Sequence, residues 1–172
     1  MTAGRALVLI GPMGAGKTSI GRRVARILDR PFTDTDRLVT AEHGPIDTIF
    51  AQYGEEQFRR LEATAVRAAL AGGGVVALGG GAVLDPATRA ALVDHDVVLL
   101  TLAPATVEHR VRGRGRPLLE GADPVAQWTA IWREREPVYR ALADLVVDTS
   151  DQPLTRIADT VAEWARIRQE TE

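Results

Sequence analysis

Gly11-Pro12-Met13-Gly14-Ala15-Gly16-Lys17-Thr18 sets glycines, one lysine and one hydroxyl in the order G-x-x-x-x-G-K-[ST]. The glycines let successive backbone N–H groups curl around phosphate oxygens. A helix starting near Gly16 would add its partially positive end. The Lys17 ammonium can reach β- and γ-phosphates, and the Thr18 hydroxyl can bind Mg²⁺. Lys17 is the single lysine in a chain with twenty arginines. Arg's planar fork is bulkier than an ammonium and does not suit a tight backbone cradle, so this is a position where Arg would not serve.

Asp34 and Asp36 stand two residues apart in Thr33-Asp34-Thr35-Asp36. A phosphotransferase needs one carboxylate near Mg²⁺ and one near the acceptor hydroxyl. Asp36 equally suits the cap of a helix beginning at Arg37. Farther on, Arg59 and Glu62 are three apart on one helix and can pair, either as a surface ion pair or as part of a site. Arg135 falls in the middle of the apolar stripe Trp128, Trp132, Tyr139, Leu142. An arginine there must snorkel outward, meet a core anion or bind a substrate carboxylate. Pro137 is expected to disturb that helix.

Gly79-Gly80-Gly81 permits either a flexible turn or very close approach of backbone to a ligand. Arg110, Arg112, Arg114 and Arg116 alternate with Val and Gly. They read as a mobile lid that carries arginine to a transferring phosphate and excludes water. A basic nucleic-acid patch is the competing reading, weakened because no aromatic residues interleave with the arginines.

These residues need a scaffold, and short apolar runs alternating with helical periodicity supply one. Strands are expected at Leu7–Ile10, up to Phe32–Asp34, and at Val75–Leu78, Val97–Leu102 and Leu145–Val147. The first helix carries Ile20, Val24, Ile27 and Leu28 on one face. Ile46–Tyr53 and Glu55–Leu70 read as helices broken at Gly54, and others follow Pro86, Pro104, Pro124 and Pro153. The alternation predicts an α/β fold of three layers, α/β/α: a five-stranded parallel sheet flanked by helices, with a mobile lid. Ligands in such sheets bind beyond the carboxyl ends of the strands, where all these motifs fall. The 172 residues suit a single domain.

Composition removes other chemistries. With no Cys there is no disulfide, thiolate metal site or Cys nucleophile. A formal charge of -2 disfavours a broad nucleic-acid face. No apolar run approaches the ~18 residues of a membrane span, and Ala6–Ile10 is too short for a signal-peptide core. A soluble, cytoplasmic protein is expected.

Taken in order, Gly11–Thr18, Asp34-Thr35-Asp36, Phe58-Arg59-Arg60-x-Glu62, Gly79–Gly81, Arg116-Pro117-Leu118-Leu119 and Arg135-x-Pro137-x-Tyr139 resemble shikimate kinase across nearly the whole chain. This is a small P-loop kinase family related in fold to the nucleoside monophosphate kinases. The resemblance implies transfer of the γ-phosphate of ATP to the 3-hydroxyl of shikimate, on the route to chorismate and aromatic amino acids, by a cytoplasmic monomer using one Mg²⁺. It implies that Gly14, Ala15, Gly16, Lys17, Thr18 and Ser19 hold the ATP phosphates. Thr18 would ligate Mg²⁺, with Asp34 in contact through water. Asp36 would bind the acceptor hydroxyls and act as the base. Arg59 and Arg135 would clamp the substrate carboxylate, Glu62 would orient Arg59, and Gly80 and Gly81 would contact the ring hydroxyls. Arg116 would come from a lid at about residues 110–123, and Arg110 would stack on adenine. The acceptor-binding helices would lie at about residues 37–62. The loop Asp148–Pro153 is short and lacks a basic residue found in some relatives, which leaves Gln152 as the nucleotide contact. The rivals are another small-molecule kinase, such as a gluconate or nucleotide kinase, and a regulatory module that binds ATP without transfer.

Overall fold

The computed structural model describes residues 4–111 and 123–171. Five parallel strands, β1 (Leu7–Ile10), β2 (Phe32–Asp34), β3 (Val75–Ala77), β4 (Asp96–Thr101) and β5 (Leu145–Asp148), form one sheet in the order β2-β3-β1-β4-β5. Leu7 is paired with Val75 on one side and Asp96 on the other, which puts β1 at the centre. Among the described residues, seven α-helices connect and cover the strands: α1 (Lys17–Leu28), α2 (Thr35–His43), α3 (Ile46–Gly72), α4 (Pro86–Leu92), α5 (Pro104–Val111), α6 (Pro124–Leu142) and α7 (Leu154–Thr171).

The period-two alternation of β1 divides the core. Leu7 and Leu9 join Ile20 and Val24 of α1 and Ile157 and Val161 of α7 on one face. Val8 and Ile10 join Val66 and Leu70 of α3 and Leu92 of α4 on the other. Both faces of the central strands are thereby dry, so their sequences run as continuous apolar stretches. Each fully buried Val, Leu or Ile contributes roughly 1.5–3 kcal/mol relative to exposure. The prolines open helices as expected: Asp85 caps α4 through its bond from Thr88 N (2.9 Å), and Asp123 caps α6 through Ala126 N (3.0 Å).

At two points in the helices the sequence makes a specific expectation; the first is met and the second is not. Within Ile46–Gly72 the helix is broken at Gly54, as the sequence predicts, where φ 80° and ψ 172° are non-helical. That positive φ is open to glycine at little cost, and it divides α3 into two helical segments across a kink. Pro137 does not displace the register of α6: Trp128, Arg135 and Tyr139 are all buried on the face the spacing indicated. Residues 112–122, with Arg112, Arg114 and Arg116 and most of the expected lid, lie outside the described residues. Among the described residues, no helix is long and apolar enough to cross a membrane.

Candidate active site

The carboxyl ends of β1, β2 and β3 deliver three loops to one place. After β1, Gly16 (φ 93°) turns the chain into α1, and no side chain caps the helix, so its first N–H groups face the loop. Lys17 Nζ donates to the carbonyls of Gly11 (2.7 Å) and Pro12 (3.0 Å), which folds it back over the loop. Gly14, Gly16, Lys17, Thr18 and Ser19 line a cavity of about 530 Å³. Ala15 is fully buried beneath them.

β2 delivers the acidic pair to the same cavity. The helix after it starts at Thr35, two residues earlier than expected, and its cap is Asp34 rather than Asp36: Asp34 Oδ1 accepts from Arg37 N (3.2 Å). This removes capping as the reason for Asp36. The other Asp34 oxygen, Oδ2, accepts from the Thr18 hydroxyl at 2.6 Å. Two hard oxygen ligands thus meet beside the phosphate loop, a donor set suited to Mg²⁺. Among the described residues no group of three or more His, Cys, Asp or Glu could hold a metal.

Thr35, between the two aspartates, is fully buried and ties β2 to β3. Its hydroxyl accepts from Gly79 N (3.1 Å) and donates to Ala77 O (3.4 Å). Sequence reasoning passed over Thr35. Its signal was a hydroxyl at a position whose neighbours both face a ligand edge.

The glycine triplet after β3 is where the charged groups converge. A Cβ on Gly79 would stand 2.5 Å from Glu62 Oε1 and 2.6 Å from Asp36 Oδ1. One on Gly81 would overlap the Arg59 guanidinium, with Cζ at 2.5 Å, and one on Gly80 would lie 3.6 Å from Arg135 Nη1. The triplet is therefore a close-packed floor rather than a flexible turn, and Gly81, against the Arg59 guanidinium, is its tightest approach.

Arg59 and Glu62 form a partly buried pair, with Nη1–Oε2 at 2.7 Å. Glu62 is 2% exposed, which excludes an ordinary surface ion pair. Glu55 gives Arg59 a second carboxylate at 3.3 Å. Burial alone would lower the Arg59 pKa, and these two carboxylates more than offset it, so the group stays charged. Burial pushes the Glu62 carboxyl above its ordinary value; Arg59 pulls against this and Asp36 adds to it. Asp36 is likewise raised, by burial first and Asp34 second, with Lys17 and Arg59 opposing. Arg135, 6% exposed, completes the group from α6.

Arg110 and Gln152 line the same cavity. The Arg110 guanidinium donates to Thr149 O (2.7 Å) and Thr149 Oγ1 (3.1 Å). Gln152 Nε2 donates to Asp148 O (3.3 Å). Arg116 lies outside the described residues.

A glycine-rich loop at a helix start, a hydroxyl–carboxylate pair and two largely buried arginines around one floor are an arrangement that suits a phosphotransferase with a small anionic acceptor. Comparison with known proteins agrees. The family model described as shikimate kinase matches residues 13–166. The chain belongs to the shikimate kinase family. The shikimate kinase of Rhodococcus jostii is 43% identical over 153 residues, which cover 87% of this chain and 91% of that protein. That of Mycobacterium avium is 47% identical over 146 residues, 83% of each. Among solved structures, shikimate kinase from Acinetobacter baumannii in complex with shikimate is similar at a TM-score of 0.89 and 30% identity, covering 96% of this chain and 94% of that one. A gluconokinase from Sinorhizobium meliloti reaches a TM-score of 0.60 at 19% identity, a likeness of fold alone.

Proposed function

We propose that this chain transfers the γ-phosphoryl group of ATP to the 3-hydroxyl of shikimate, giving shikimate 3-phosphate and ADP. The observation that carries the reading is the floor at Gly79–Gly81, where Asp36, Arg59, Glu62 and Arg135 meet within reach of the phosphate loop. Family membership names the acceptor.

ATP phosphates would lie in the cradle of residues 14–19, with adenine toward Arg110 and Gln152. Thr18, and Asp34 through water, would hold Mg²⁺, which neutralises phosphate charge when bound. Lys17 leaves the carbonyls of Gly11 and Pro12 for the β- and γ-phosphates, a short movement for a flexible chain. Arg59 and Arg135 present two guanidinium groups to the acceptor carboxylate, and Glu62 fixes the orientation of Arg59. With the carboxylate anchored, the ring hydroxyls face Gly80, Gly81 and Asp36. Asp36 orients the hydroxyl and takes its proton; burial favours the protonated product state, while Lys17 and Arg59 keep the carboxylate available beforehand. Arg116 would add charge at the phosphoryl oxygens.

Phosphorus NMR of the product tests this reading. A phosphomonoester coupled to the C3 proton of shikimate is expected. Phosphorylation at another hydroxyl, or inorganic phosphate alone, would contradict it.

A further inference from the structure

Helix α6 bonds to both halves of the site. Near its start, Trp128 Nε1 donates to the Met13 carbonyl inside the phosphate loop (2.8 Å). Eleven residues later, about 16 Å along the helix, the Tyr139 hydroxyl donates to the Gly80 carbonyl in the acceptor floor. Trp132 stands between them and stacks on both rings. The Trp128–Trp132 centroids are 6.1 Å apart at 18°, and the Trp132–Tyr139 centroids 5.9 Å apart at 23°. Trp128 is buried in the core on one face of the sheet and Tyr139 in the core on the other, and Trp132 packs against both. Burial raises the Tyr139 phenol to about 12, so it remains a donor across the physiological range. Arg135 leaves the same face one turn before Tyr139.

We infer that α6 is a strut: Trp128 and Tyr139 are positioning residues whose bonds to Met13 and Gly80, joined by the stack through Trp132, fix the distance between the phosphate loop and the acceptor floor. Neither side chain is needed to touch a substrate. Each holds a backbone carbonyl, and with it the loop that does. In-line transfer is sensitive to donor–acceptor spacing, so a strut bearing on both loops would set the rate while each anchor alone sets the order of its own loop. The inference rests on the proposed function for its kinetic consequence only; the mechanical coupling stands apart from it.

The test uses the full chain and the variants Tyr139→Phe and Trp128→Phe, which keep an aromatic ring and remove one donor. Amide hydrogen exchange reads the strut directly. Each variant should speed exchange about fivefold at its own loop, as expected for one neutral hydrogen bond, and measurably at the far loop: residues 79–82 in Trp128→Phe and residues 13–16 in Tyr139→Phe. Unchanged exchange at both far loops would overturn the strut, whatever reaction the protein catalyses. In kinetics, Tyr139→Phe should raise the KM for shikimate about fivefold and the KM for ATP by a smaller factor, and Trp128→Phe should do the reverse. The double variant should lose no more kcat than the worse single one, because the link through α6 is already broken once either anchor is gone. Losses that multiply would mean two independent anchors and no strut. If one single variant does not fold, the far-loop exchange of the other decides.

Discussion

The Oδ1 of Asp36 lies 2.6 Å from where a methyl group on Gly79 would stand. The proposed base and the floor are packed so closely that only hydrogen fits between them. Glu62 presses on the same point from α3 at 2.5 Å. Gly79→Ala must therefore push a carboxylate or the backbone aside, an overpacking cost of about 1–3 kcal/mol. The variant is expected to melt lower and to lose most turnover, while ADP binding persists. A Gly79→Ala protein with wild-type kcat, assayed well below its melting temperature, would show that the Asp36–Gly79 approach is not used.

Lys17→Arg keeps the charge and changes its shape. Nζ fits between two loop carbonyls at 2.7 and 3.0 Å, a geometry for a small point charge rather than a planar fork. Turnover should fall about a hundredfold or more, with the far-ultraviolet circular dichroism spectrum unchanged. Near-normal rates in the purified variant would remove Lys17 from the reaction.

Asp36→Asn separates function from stability. The folded pKa of Asp36 lies above the ordinary 3.8. Its contribution to stability is therefore present below the unfolded value and lost as pH rises through the folded one, so at neutral pH the buried charge is a cost. Asp36→Asn should bind shikimate, lose turnover about a hundredfold or more, and melt higher than wild type at pH 7, with the gap narrowing at pH 4. A lower melting temperature at pH 7 would contradict the assigned sign. In the wild-type enzyme, the acid limb of the rate profile should fall above the usual aspartate range.

Glu62→Gln leaves Arg59 with Glu55 as its remaining carboxylate, the more exposed and more distant of the two. Loss of one charge-assisted bond corresponds to about a tenfold change or more. It should raise the KM for shikimate while kcat changes less. An unchanged shikimate KM, measured at saturating ATP, would show that Glu62 does not orient Arg59.

Much of this arrangement is legible in the chain. Leu7–Ile10, the glycine loop and the periodicity of Ile20 and Val24 define a strand–loop–helix by local rules alone. Arg135 announces itself as a charge in an apolar stripe, and its burial bears that out. What the sequence withholds is non-local. The order β2-β3-β1-β4-β5 depends on pairings between distant segments, and periodicity carries no information about which strands become neighbours. Asp36 has the same spacing whether it caps a helix or lines a cavity; the start of α2 at Thr35 decides it. Gly79 looks like Gly80 and Gly81 until Glu62 and Asp36 arrive from other elements. Trp128 and Tyr139 read as core aromatics, and they are, but their polar atoms find backbone carbonyls 115 and 59 residues away.

The central claim is the acceptor, and ADP release measured by a coupled assay across shikimate, gluconate and nucleoside monophosphates tests it most directly. Shikimate-dependent release is expected, with gluconate and the nucleotides at background. Release with gluconate or a nucleoside monophosphate in place of shikimate would contradict the account, and silence with every acceptor would make the protein an ATP-binding module.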